Sequence, residues 1–119
     1  MSGQGEDAPR RILLTLDDGP SEATGEIVDY LSKRKIPAVF FCRGDRMEQF
    51  PDAIPQAIRK GMTIGSHLYS HRQASQIPVS ETIEEIEKTE ALIDAAYARA
   101  GVVRLVRYLR FPYMDHGMG

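Results

Sequence analysis

Five residues from Ile12 to Leu16, interrupted only by the hydroxyl of Thr15, run directly into Asp17-Asp18-Gly19-Pro20. So short an apolar run cannot make a globular helix. Its residues suit a strand buried on both faces, as in a parallel sheet, and Gly19-Pro20 stops that strand sharply. Two acids are left at the carboxyl end of a buried strand, the end where ligands and chemistry gather in open and closed α/β folds alike.

The rest of the chain alternates helical patterns with further strand-like runs. Glu22 to Lys35 places Ile27, Val28 and Leu31 at helical spacing and ends in Lys33-Arg34-Lys35, a charge that suits a helix carboxyl terminus. Pro37 breaks that pattern, and Ala38 to Cys42 reads as a second buried strand. Met47 to Lys60 predicts a helix interrupted near Pro51 and Pro55 and closed by Gly61. Met62 to Ser66 reads as a third, weaker strand. Ser80 then suits a helix cap, with Glu81 and Glu84 in the first turn. The helix runs to about Ala100 with Ile83, Ile86, Ile93 and Tyr97 on one face and Gly101 as its stop. Val102 to Phe111 holds a fourth strand centred on Arg107 to Arg110. This βαβαβαβ order predicts an α/β fold with a parallel sheet and right-handed crossovers.

At 119 residues the chain makes one domain, able to bury roughly two thirds of its unfolded surface. Hydrophobic and charged fractions of 42% and 27% exclude disordered and fibrous classes. A formal charge of −2 gives no electrostatic case for nucleic acid or an anionic membrane. No apolar run approaches the roughly 18 residues of a membrane span. Residues 1–9 have neither a basic start nor an apolar stretch, so they read as a flexible tail and not as a secretion signal, with the domain over 10–119. A single cysteine, Cys42, excludes an internal disulfide and reads as a buried thiol without a chemical role.

Chemistry-bearing groups recur at the strand ends. After the third strand, His67 and His71 lie four residues apart and can close on one metal ion. Alone, that spacing more often marks surface or core histidines, and Asp17-Asp18-Gly19-Pro20 more often marks a turn. Together they belong to the same face of a parallel sheet. Two histidines and one carboxylate make a three-ligand site with an open position, as in catalytic zinc. The fourth strand ends at that face in Arg110-Phe111-Pro112-Tyr113. Arg110 is either a partner that orients a carboxylate or a solvated basic residue. Tyr113 suits packing as readily as chemistry.

Three segments, Thr15 to Pro20, His67 to His71 and Arg110 to Tyr113, resemble in order and spacing the first three motifs of the polysaccharide deacetylases, the NodB-homology or family 4 carbohydrate esterases. The resemblance implies the amino-terminal portion of a distorted (β/α) barrel of about seven strands. It implies that Asp18, His67 and His71 bind the metal, usually Zn2+ or another divalent transition metal such as Co2+. Asp17 would be the general base, Arg110 would hold and tune Asp17, and the Tyr113 backbone N–H would help bind the oxyanion. The activity implied is removal of acetyl groups from N-acetylated, or O-acetylated, carbohydrate such as chitin oligomers or peptidoglycan. Members often act outside the cytoplasm; this chain shows no signal peptide, and its location stays open.

The sequence also departs from the family. Leu68 replaces the usual Ser or Thr, Arg72 the common proline, and Phe111 and Met114 the Pro and Gly of the third motif. The later motifs, an Asp/Trp segment and the Leu-x-His that supplies the general acid, find no match: there is no Trp, and His116 in its glycine-rich tail is a poor replacement. Four βα units cannot close a seven-stranded barrel, which predicts a fragment of a longer protein or a homo-oligomer that covers the open sheet edges. Two other readings therefore stand beside the deacetylase: a non-catalytic metal-binding half-domain acting by association, and a small-amide hydrolase of related fold.

Overall fold

The computed structural model describes residues 14–70 and 77–111. Along them run β1 (Leu14–Gly19), α1 (Thr24–Lys33), β2 (Ala38–Cys42), α2 (Gly44–Gln49), α3 (Ala53–Arg59), β3 (Thr63–Ser66) and α4 (Val79–Ala100). The strands form one parallel sheet in the order β1-β2-β3. The α/β alternation read from the sequence is the fold observed.

All five residues of β2 are buried. Against it pack Val28 and Leu31 of α1, Ile54, Ala57 and Ile58 of α3, Ile64 of β3, and Ile93, Ala96 and Tyr97 of α4. Cys42 lies fully inside this core, and burial pushes its thiol pKa well up, which keeps it protonated and inert. The strand expected to be buried on both faces, β1, lies instead at the sheet's edge among the described residues. Leu14, Asp17 and Asp18 are exposed, and among the described residues β1 pairs on one side, with β2. The two-faced burial belongs to β2.

The predicted break in the second helical stretch falls at Phe50–Asp52, beside Pro51, and separates α2 from α3. Pro55 causes no break. It sits in the first turn of α3, where a backbone N–H has no partner within the helix. Helix α4 starts at Val79, one residue before the predicted cap Ser80. Pro78 occupies the cap position and its carbonyl accepts the N–H groups of Glu81 and Thr82. The buried face of α4 is also rotated from the expected one: Ile83 is exposed, whereas Glu85 and Thr89 are buried alongside Ile93, Ala96 and Tyr97.

The fourth strand reduces to one parallel bridge, Ser66 with Leu109. The Ser66 N–H donates to the Tyr108 carbonyl and the Arg110 N–H to the Ser66 carbonyl, both at 2.8 Å. Two residues back along β3, the Ile64 N–H points the same way, but the Tyr97 hydroxyl accepts it at 3.2 Å. A side chain of α4 thus takes the donor that a longer ladder would need. Residues ahead of the bridge are tied to α4 instead: Arg104 bonds both Glu90 oxygens, at 2.9 and 3.0 Å, and Arg107 reaches Glu90 and Asp94.

Candidate active site

The carboxyl end of β1 is irregular where the acids stand. Asp17 pairs with Phe41 and Gly19 with Cys42, so Asp18 is an extra residue in the ladder. Its φ of 71° is left-handed, a conformation that Asp enters more readily than most residues. Neighbours in a regular strand point to opposite faces. The bulge re-aims them, as bulges near active sites do, and each acid finds its own partner.

Asp18 faces His67, its Oδ1 lying 3.2 Å from Nε2. His67 leaves the end of β3 with its N–H donated to the Cys42 carbonyl at 2.9 Å, and it is 3% exposed. Its Nδ1 lies 2.8 Å from the Arg110 carbonyl. A carbonyl can only accept, so Nδ1 carries hydrogen and Nε2 is the nitrogen left for Asp18.

Asp17 belongs to Arg110. Nη1 of the guanidinium donates to Asp17 Oδ1 at 3.0 Å and Oδ2 at 3.3 Å, and to Thr15 Oγ1 at 3.3 Å. The guanidinium lies over the Phe41 ring, 4.3 Å from its centroid. Phe41 can lie there because Gly65 has no side chain: a Cβ at Gly65 would sit 2.9 Å from the ring and 3.0 Å from Tyr108 Cβ. Contacts thus run from Asp18 through His67 and Arg110 to Asp17, joining residues 93 positions apart in the chain.

The pair Asp18 and His67 suits a divalent metal by its donor chemistry. A lone-pair nitrogen and a carboxylate oxygen facing each other at 3.2 Å call for a positive charge between them, either a proton or a cation. A ring whose other nitrogen is tied to a backbone carbonyl is the usual setting of a metal-bound imidazole. Among the described residues no group of three or more His, Cys, Asp or Glu is placed to hold an ion. His71, the predicted third ligand, lies outside the described residues, as do Arg72, Pro112, Tyr113, Met114 and His116.

Sequence reasoning missed Phe41, Gly65 and Glu85. Glu85 lies on the buried face of α4, where its oxygens accept from the loop after His67. Its spacing of four and eight residues from Thr89 and Ile93 was the available signal.

Fold and site together define the class: a parallel α/β sheet that gathers an acid–imidazole pair and a second, arginine-held acid at its strand tips. Comparison with known proteins gives that class its family. Residues 4–117 match the family model described as polysaccharide deacetylase, and the chain belongs to this family. It is 34% identical over 105 residues to a peptidoglycan-N-acetylglucosamine deacetylase of Bacillus cereus, covering 86% of this chain and 36% of that protein. It is 35% identical over 101 residues to a chitooligosaccharide deacetylase of Rhizobium leguminosarum bv. trifolii, covering 83% and 46%. Among solved structures, a family 4 carbohydrate esterase from Streptomyces lividans in complex with acetate superposes with a TM-score of 0.76 at 28% identity, over 87% of this chain and 52% of that one. The chain thus spans about half or less of the length of these relatives, and its sheet is part of the NodB-type (β/α) barrel.

Proposed function

We propose that this chain carries the metal site and the base of a hydrolase that removes acetyl groups from N-acetylated, or O-acetylated, carbohydrate of the peptidoglycan or chitin-oligomer type. The observation that supports it best is the separation of the two adjacent acids: Asp18 faces an imidazole, while Asp17 is held by a guanidinium.

Asp18, His67 and His71 would hold Zn2+ or a similar ion such as Co2+. Such an ion supplies Lewis acidity, polarising an acetyl carbonyl and making water more acidic. Asp17 takes the proton of the attacking water. Its bond to Arg110 fixes the carboxylate's direction and keeps it apart from the ligand set. Thr15 and Phe41 hold the guanidinium in turn. The Tyr113 N–H would donate to the developing oxyanion, a large contribution in acyl transfer. Asp17 is then the group from which the proton returns to the departing amine.

Acetate release from short N-acetylglucosamine oligomers tests this reading. Release that falls by about 100-fold or more in Asp17→Asn, within the range of general-base catalysis, supports it. Bound zinc without acetate release supports instead a metal-binding half-domain. Activity confined to small amides supports the third reading. Exposed Val103 and Leu105 beside the short Ser66–Leu109 bridge favour a second copy of the chain over that sheet edge. Light scattering showing a clean monomer contradicts that assembly.

A further inference from the structure

Helix α4 carries a carboxylate where its pattern calls for an apolar side chain. Glu85 is 7% exposed. Its Oε1 accepts the backbone N–H groups of Tyr69 and Ser70, at 3.2 and 3.0 Å, and its Oε2 accepts the Ser70 hydroxyl at 2.9 Å. These peptide groups lie between His67 and His71. Their carbonyl sides are held from the other direction: Gly44 N–H donates to the Leu68 carbonyl and Asp45 N–H to the Tyr69 carbonyl, each at 2.9 Å. Inside the same turn Leu68 has a φ of 62°, a conformation that a residue other than glycine keeps only when its surroundings impose it. One element takes the loop's donors and another takes its acceptors, so the backbone path from His67 onward has little freedom.

We propose that Glu85 is a positioning residue for the metal site: it fixes the course of the chain as it leaves His67, over Leu68 to Ser70, the stretch that leads in sequence to His71. The inference rests on the metal-binding reading of Asp18, His67 and His71. It differs from a purely structural role for a buried acid in one respect. Loss of a structural anchor lowers folding stability, whereas loss of a positioning residue also weakens metal binding in chains that remain folded.

Zinc binding by titration calorimetry on folded protein separates the two, for the unaltered chain and for Glu85→Ala, Glu85→Gln and Ser70→Ala. The Co2+ absorption spectrum of each reports ligand geometry. Glu85→Ala is expected to weaken zinc binding by about 10- to 100-fold, the usual effect of removing a group that orients a metal ligand, and to alter the Co2+ bands. Glu85→Gln keeps a carbonyl oxygen for the two N–H donors and restores most of the affinity. Ser70→Ala gives a smaller loss. A folded Glu85→Ala with unaltered zinc affinity and unaltered Co2+ bands overturns the proposal, and where Glu85→Ala does not fold, a folded Ser70→Ala with unaltered affinity and bands overturns it in the same way. An unaltered chain that binds no zinc ends the metal reading and this inference with it. Zinc binding without acetate release ends only the deacetylase reading.

Discussion

Strand β3 has two neighbours, and they are fixed by opposite means. β2, on one side, is buried along its whole length and pairs with β3 in unbroken register from Val39 to Cys42. The segment from Val102 to Arg110, on the other side, touches β3 at a single bridge and exposes Val103 and Leu105 at 77% and 87%. Apolar burial and ladder pairing on both sides secure β2, which brings no polar side chain to the site. The opposite segment carries Arg110, whose place depends on Asp17, Thr15, the Phe41 ring and the bare Cα of Gly65. Stability and chemistry therefore lie in different parts of one sheet, and substitutions should separate them.

The largest effect belongs to the β2 side. Phe40→Ala, at a buried position of β2, should cost about 3–5 kcal/mol in denaturant unfolding; a cost under about 1 kcal/mol would break the contrast, since large-to-small changes in a close-packed core cost more than that. Gly65→Ala should come next. Its methyl group meets Phe41 and Tyr108 together, so about 1–3 kcal/mol is expected from overpacking, along with slower acetate release as the Phe41 ring moves from under Arg110. Release that stays unchanged while stability falls would disconnect Gly65 from the site. Arg110→Lys should change stability by less than about 1 kcal/mol, as for other partly exposed ion pairs, yet slow release by about 10-fold or more through loss of the planar guanidinium that lies over the Phe41 ring. Equal losses of stability and activity would merge the two regions.

The smallest effect concerns pH. The hydrogen bond from Arg104 holds the Asp94 carboxyl below the usual carboxylate range, against the opposing effect of burial and with help from the charges of Arg107 and Arg104. A folded-state pKa below the unfolded value gives stability that is complete above the unfolded pKa, near 3.9, and is lost as pH falls through the folded value. Asp94 is half exposed, so a few tenths of a kcal/mol is expected after solvent screening. Comparing acid unfolding of Asp94→Asn with the unaltered chain checks it, and a variant more sensitive to acid would reverse the sign.

The sheet was legible because its strands are short apolar runs between helical patterns. The acids, His67 and Arg110 were legible because each lies at the end of such a run. Alternation with a period of two cannot reveal an inserted residue, so the bulge that re-aims Asp18 left no mark in the sequence. The strand-like residues after Val102 gave no sign that the Tyr97 hydroxyl, from a different element, takes the Ile64 donor. Glu85 looked like one more acid near the start of a charged helix, since only its distant partners Tyr69 and Ser70 distinguish it from Glu84. The placement of β1 at an edge depends on how many strands flank it, which an apolar run does not encode.

The most direct test is a crystal of the chain grown with Zn2+ and measured at the zinc absorption edge. An anomalous peak about 2.0–2.2 Å from both His67 Nε2 and an Asp18 oxygen, with Asp17 still on Arg110, is the result this account predicts. A well-ordered chain with no zinc between Asp18 and His67, or with Asp17 as the ligand in place of Asp18, would contradict it.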